Sequence, residues 1–393
     1  MHMGVFRGIY MFRVFRAGLL ALAATGVPAL AQNDYSPPRA DEAPIAILVD
    51  VSSGQVLHER EADRRFVPAS MTKVMTLFHA FELMEEGYLD PRQTFIMRTA
   101  TWEEWGGKGS TMWINAGDQI TVADLLTGIA NVSANDGSVM LAEGQAGTLE
   151  AWLEGMNARA RSLGMTGSRF GTPNGWPDEG RTFTTARDLV KLGDALVRRH
   201  PRKFAQYMGK PGFLFKGIEQ PNRDPMIGRV AGADGIKTGY TNEAGFGYLG
   251  TAERGGQRLM LVVAGVERNA LRAKVAREYL EWGFAAFERE RVFGEGDVVG
   301  SARVQDGSAL TVPLRTDRAI FVNVPRGRAS ELRAAITYDG PVRAPIAAGD
   351  EVAVLVIEVP GMEPARIPLL AGESVQEAGF FSRIRNGLAG WLQ

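Results

Sequence analysis

The chain has 393 residues, of which 45% are hydrophobic and 23% charged, and its formal net charge at pH 7 is -1. Such proportions suit two globular domains, or one large domain with an appendage, and exclude wholesale disorder, collagen and a polytopic membrane protein. The near-balance of charge removes the case for nucleic acid that a strongly basic chain would make. With no cysteine and only His2, His58, His79 and His200, disulfide scaffolds, thiol nucleophiles and Cys-ligated zinc are also excluded.

The first residues read as an export signal. Arg7, Arg13 and Arg16 form a basic region, Ala17 to Leu30 is apolar and small, and Ala29-Leu30-Ala31 offers a cleavage site before Gln32. The apolar run falls short of the roughly 20 residues of a membrane span and contains Gly26 and Pro28. Segment 1–31 is therefore expected to be removed, leaving a mildly acidic chain outside the cytoplasm. Residues 32–44 are polar and proline-rich, a flexible lead-in.

Folded structure is expected over 45–290. Ile45 to Val51 and Gln55 to Glu59 make a hairpin around Ser52-Ser53-Gly54. Beyond Pro68 the spacing of Val74, Leu77, Phe78, Phe81 and Met84 predicts a helix with one buried face, stopped by Gly87. A second helix carries Val122, Leu125, Leu126 and Ile129 and ends in the polar stretch from Asn131 to Gly137. Trp152 to Leu163 and Thr185 to Val197 are amphipathic helices on either side of a Gly/Pro-rich loop, Gly164 to Gly180. Strands follow at Gly245 to Ala252 and Gln257 to Val266, then a helix from about Ala270 to Glu288. First and last strands can share one sheet with helices around it, an α/β or α+β arrangement.

Over 291–372 short β-branched runs, Ile320 to Val324, Ala334 to Tyr338 and Val352 to Val359, suggest a small β-sandwich or barrel. Residues 373–393 form a linker and a tail in which Phe380, Phe381, Ile384, Leu388, Trp391 and Leu392 make one helical stripe. Too short to span a bilayer, that helix is expected to lie in a membrane interface or to dock on its own protein.

Ser70-Met71-Thr72-Lys73 opens the first core helix, where residues three apart share a face. A serine hydroxyl is a poor nucleophile until a base takes its proton. A lysine kept neutral by burial or by a second cation is such a base. Alone, S-x-x-K equally describes an N-capping serine and a surface lysine. Ser133-Ala134-Asn135 lies between two helices, where a hydroxyl can relay a proton and an amide can hold Lys73 and a substrate carbonyl; alone, it is ordinary turn chemistry. Lys237-Thr238-Gly239 reads as an edge strand lining a groove, with lysine and threonine placed to bind a carboxylate and glycine admitting the substrate backbone. Alone, it is an aggregation-resistant strand edge.

The three motifs together, in this order, resemble the penicillin-binding and serine β-lactamase superfamily, with its S-x-x-K, S-x-N and K-T-G set. Within it the chain resembles the low-molecular-mass D-alanyl-D-alanine carboxypeptidases. The likeness extends over Pro68 to Lys73, Asn131 to Asp136, Asp234 to Tyr240, the C-terminal β domain and the tail. It implies a β-lactamase/transpeptidase-like catalytic domain in which Ser70 attacks the bond between two D-alanines of a peptidoglycan stem peptide, passing through an acyl-serine that penicillin also forms. Lys73 is implied as general base, Ser133 as proton relay, and Lys237 and Thr238 as carboxylate binders. The oxyanion hole is implied to be backbone N–H of Ser70 and Tyr240, the latter standing where relatives often carry histidine. Arg223 and Arg272 match positions of site arginines. No metal or other cofactor is implied. The implied location is the periplasmic face of the inner membrane, held by the tail helix.

A β-lactamase shares acylation, but nothing between Glu143 and Gly180 supplies the E-x-x-L-N glutamate of class A enzymes. An endopeptidase acting on crosslinked stem peptides differs in groove width, which sequence does not carry. Intact motifs argue against a purely wall-binding module. A Ser-His-Asp hydrolase lacks a G-x-S-x-G elbow, and zinc hydrolysis lacks H-E-x-x-H.

Overall fold

The computed structural model describes residues 37–328, 331–359 and 361–379, together with two short strands, Phe6–Arg7 and Tyr10–Phe12. The apolar part and cleavage site of the expected export signal, and the expected tail helix from Phe380 onward, lie outside the described residues. Contacts divide the chain into two compact units, one of Ser36–Ser52 with Val56–Phe284, the other of Ser53–Gln55 with Ala285 onward and the N-terminal strands.

In the first unit β1 (Ile45–Asp50) and β2 (Gln55–Arg60) precede α1 (Lys73–Glu85). A two-stranded ribbon, β3 (Thr94–Ile96) with β4 (Gln119–Thr121), brackets α2 (Thr99–Trp105). Helices α3 (Val122–Asn131), α4 (Asn135–Ala146), α5 (Leu149–Ser162), α6 (Ala186–Arg199) and α7 (Pro201–Tyr207) follow. A second ribbon, β5 (Gly212–Phe215) with β6 (Ile218–Pro221), leads to β7 (Ala233–Thr241), β8 (Gly245–Arg254) and β9 (Gln257–Val266), and α8 (Asn269–Ala285) completes the unit. The five long strands form one sheet in the order β2-β1-β9-β8-β7. All six residues of β1 are buried, which explains its unbroken apolar run; β7, carrying Lys237-Thr238-Gly239, is the end strand.

Helix α1 differs from the amphipathic expectation. Every residue from Lys73 to Phe81 is buried, so the helix is enclosed all round rather than on one face. Its Lys73 and Thr76 are thereby forced into the interior with the apolar residues. Three threonines open their helices, Thr121, Thr148 and Thr185 each accepting from a backbone N–H three residues on. Ser70 sits in a 3-10 turn, Ala69–Thr72, and regular α-helix starts only at Lys73. Helix α8 stops at Ala285 instead of continuing to Glu288, because β10 (Phe287–Phe293) pairs with β13 (Ile320–Pro325) and takes these residues into a ladder. The second unit also contains β11 (Val298–Gln305), β12 (Thr311–Arg315), β14 (Arg333–Thr337), β15 (Glu351–Glu358) and β16 (Ala365–Ala371). Strands β11, β12, β16, β15 and β14 neighbour one another in that order within a sheet that Val342–Arg343 and Tyr10–Phe12 extend at its two ends. Alternate residues such as Val312, Leu314, Leu355, Ile357 and Leu369 build its core. Among the described residues no helix is long and apolar enough to cross a membrane.

Trp152 is fully buried on α5 and packs edge-on against His79 of α1, ring centroids 4.6 Å apart. Trp152→Ala should cost about 3–5 kcal/mol, read as a lower denaturation midpoint in urea with an unchanged slope.

Candidate active site

The sheet edge, the 3-10 turn that precedes α1 and the α3–α4 junction converge on a cavity of about 560 Å³. Ser70, Ser133, Asn135, Arg223, Thr238, Gly239, Tyr240 and Arg272 line it, so residues spread over two hundred positions of sequence meet in one place.

Lys73 is the best-defined member. Its Nζ lies 2.9 Å from Ser70 Oγ and donates to the Asn174 carbonyl at 2.6 Å, with the side chain wholly buried. Burial holds its ammonium well below the usual lysine range, and the nearby Lys237 charge pushes the same way, against the pull of Asp136. Both routes to a neutral lysine therefore operate. The carboxylate of Asp136, itself pushed up by burial, accepts from the backbone N–H of Met112 at 3.1 Å, Ile114 at 3.3 Å and Gly137 at 2.8 Å.

The Asn174 carbonyl is delivered by the Gly164–Gly180 loop, which docks on α1. Thr76 Oγ1 donates to the Pro173 carbonyl at 2.6 Å. Gly175, at φ +74°, faces the Ala69 carbonyl so closely that a Cβ would come within 1.8 Å of its oxygen. Ala69 is itself left-handed at φ +49°, which turns Ser70 out of the approaching chain. On the other side Gly239 leaves room for the strand to pass the Pro68 carbonyl, 2.6 Å from where a Cβ would stand. The edge strand is thus brought alongside Ser70.

Ser133 is buried at φ +65° in the α3–α4 turn, and its side chain makes no hydrogen bond among the described residues. Asn135 opens α4, and its amide donates to the Lys108 carbonyl at 2.9 Å rather than to Lys73. Lys237 is buried beside the cavity, its Nζ donating to the Thr238 carbonyl at 3.1 Å; burial and then the charges of Arg272 and Arg223 lower it to about 7. Tyr240 is half exposed, with its ring stacked on Phe246 at 4.1 Å and its hydroxyl donating to Asn242. Its side chain is therefore engaged by Phe246 and Asn242 while its backbone stays in the strand.

Sequence reasoning passed over Asn174, Gly175 and Trp176, reading their loop as a connector. Its length was the available signal, since long loops in compact domains are commonly functional. Asp224, a buried carboxylate next to Arg223, was passed over as well. The three described histidines stand apart from the cavity: His58 and His79 are held neutral by burial at about 4, and His200 pairs with Glu82 at 2.8 Å. Among the described residues no cluster of three or more potential ligands is placed to hold a metal ion.

Residues 31–268 match the family described as D-alanyl-D-alanine carboxypeptidase, and residues 287–377 match the penicillin-binding protein 5 C-terminal domain. The chain is 34% identical to the D-alanyl-D-alanine carboxypeptidase DacC of Escherichia coli over 86% of this chain and 85% of that one. It is 30% identical to DacA of Haemophilus influenzae over 94% of each. Penicillin-binding protein 5 from Haemophilus influenzae superposes with a TM-score of 0.78 at 30% identity, covering 87% of this chain and 99% of that structure. Penicillin-binding protein D2 from Listeria monocytogenes in its ampicillin-bound form gives 0.56 at 29% identity, covering 62% and 97%.

Gly175→Ala should cost at least about 2 kcal/mol, since strain at positive φ adds to a backbone overlap. Urea denaturation measures that loss, and reactivity at Ser70 should fall with it as the Asn174 carbonyl is displaced.

Proposed function

The chain belongs to the D-alanyl-D-alanine carboxypeptidase family, and from that premise we propose a residue-by-residue course for the serine-type reaction it catalyses. Ser70 attacks the carbonyl of the peptide bond between two terminal D-alanines of a peptidoglycan stem peptide. Neutral Lys73, 2.9 Å away, takes the hydroxyl proton. The negative oxygen that forms is held by backbone N–H of Ser70 and Tyr240. Ser133 passes the proton to the leaving amine, and D-alanine departs with its carboxylate held by Lys237, Thr238, Arg272 and Arg223. Water then hydrolyses the acyl-serine. The observation that carries this reading is the contact of the wholly buried Lys73 with Ser70 at the cavity wall, since an exposed lysine would stay protonated and useless as a base.

β-Lactams acylate the same serine and stay attached. No carboxylate is among the residues lining the cavity, so nothing there matches the glutamate that activates water in class A β-lactamases. Export to the periplasmic side and attachment to the inner membrane through the helix at 380–393 complete the proposal. Its support is the basic and apolar N-terminus and the stripe of Phe380, Phe381, Ile384, Leu388, Trp391 and Leu392.

Penicillin treatment should add one inhibitor mass to the peptide containing Ser70, as read by mass spectrometry, and Ser70→Ala should show no adduct; persistent labelling overturns the assignment. Lys73→Arg, permanently charged, should slow acylation by about 10²–10⁴-fold. In the native enzyme acylation should fall as pH drops, because Lys73 then takes up the proton it must accept from Ser70. Truncation after Glu377 should release the protein from membrane fractions, and continued sedimentation with them rejects the tail as the anchor.

A further inference from the structure

Behind the cavity wall lies a buried acid that the reaction scheme does not use. Asp224 is 8% exposed and follows Arg223 directly. Its backbone N–H donates to Asn222 Oδ1 at 2.8 Å, and its carboxylate accepts from the Met226 N–H at 2.8 Å and from the Tyr248 hydroxyl at 3.2 Å to each oxygen. Tyr248 is wholly buried on β8, cross-strand from Thr238, and its hydroxyl also reaches the Gly235 carbonyl at 3.4 Å. Its phenol occupies the space above Gly250, where a Cβ would lie 2.1 Å from two ring carbons and from the hydroxyl oxygen. The phenol therefore has a fitted slot, and the acid is fixed beside β7.

The groups facing this acid are Tyr248 from β8, Lys237 from β7, Arg272 from α8 and the adjoining Arg223, with Asp234 acting on Tyr248. None of the three cations comes within ion-pair distance of Asp224. Arg272 instead donates through Nη2 to Asn269 at 2.6 Å and keeps a buried Nε without a partner, while Lys237 donates only to the Thr238 carbonyl. Asp224 thus offsets positive charge without occupying the donors that a ligand carboxylate needs. Burying Lys237 and Arg272 together, beside the exposed Arg223, with no anion would be costly, and an anion in direct contact would compete with substrate.

We infer that Asp224, locked by Tyr248, is a positioning residue that keeps Lys237 charged and its donors free, and so sets how tightly the substrate carboxylate is held. The inference rests on the assignment of Lys237 and Arg272 to that carboxylate. The direction of the effect follows from charge. Ionised Asp224 raises Lys237 toward its usual range, against burial and the two arginines that bring it to about 7. Asp224 is pushed up by burial to about 6, so it is largely ionised at neutral pH and loses its charge as pH falls through that value.

The test compares native enzyme, Asp224→Asn and Tyr248→Phe on an N-acylated D-alanyl-D-alanine peptide and on its C-terminal amide, across pH, with thermal melting to verify folding. Native enzyme should prefer the free carboxylate by at least about tenfold in kcat/KM; equal rates on the amide overturn the parent assignment rather than this inference. Asp224→Asn should move the alkaline limb of kcat/KM for the free peptide toward lower pH by about one unit, with KM raised and kcat within about twofold at pH 8. Tyr248→Phe, which removes only the hydroxyl, should shift the limb the same way by less. An unmoved limb in both folded variants, with native preference for the carboxylate intact, overturns the role given to Asp224. If Asp224→Asn does not fold, Tyr248→Phe alone decides the matter.

Discussion

A lysine beside a serine becomes a base only where water is kept from its ammonium. In this protein that exclusion is achieved by putting Lys73 at the first regular turn of a helix buried on all sides, with the Gly164–Gly180 loop closing over it. The closure depends on backbone meeting backbone. Gly175 lies against the Ala69 carbonyl with no room for a side chain, and Gly239 lets the edge strand approach Pro68 on the opposite side. Ser70 is therefore held between two main-chain segments, and the chemistry proposed for it depends on how tightly they close.

Electrostatics follows from the same enclosure. Burial lowers both lysines, Lys237 adding to the effect on Lys73 and the two arginines to that on Lys237, yet the proposed course gives each a different use. In the proposed course Lys73 works uncharged, while Lys237 works charged. Separate partners reconcile these demands: Lys73 meets the neutral Asn174 carbonyl and Ser70 hydroxyl, whereas Lys237 has the field of Asp224 behind it. Asp136 is fixed by three backbone N–H groups and stabilises the α3–α4 junction that presents Ser133 and Asn135.

Much of this was legible in the chain. The hairpin Ile45–Arg60, the α3 helix, the adjoining strands β8 and β9 and the edge position of Lys237 all follow from local periodicity and turn residues. Where local pattern was overridden, a long-range partner was responsible. Residues 287–288 continue a helical spacing but enter a ladder with Val324 and Pro325, and the short α2 and α7 and the ribbon β5–β6 carry too few periodic residues to stand out. The enclosure of α1 likewise escaped its pattern, because Lys73 and Thr76 look solvent-facing until the loop carrying Pro173 and Asn174 comes down on them.

From the three motifs taken together, and the family resemblance they carry, come the expected nucleophile, base, relay hydroxyl and carboxylate-binding lysine. These are legible because a turn of helix and a β-strand fix which neighbours in sequence can share a face. Protonation states, the partner of Asn135 and the buried Asp224–Tyr248 pair were decided only by tertiary structure, which also brings Arg223 and Arg272, matched to site positions by the resemblance, to one cavity. Each depends on distance and desolvation between segments far apart in the chain, and neither quantity exists until the sheet, the helices and the loop have packed.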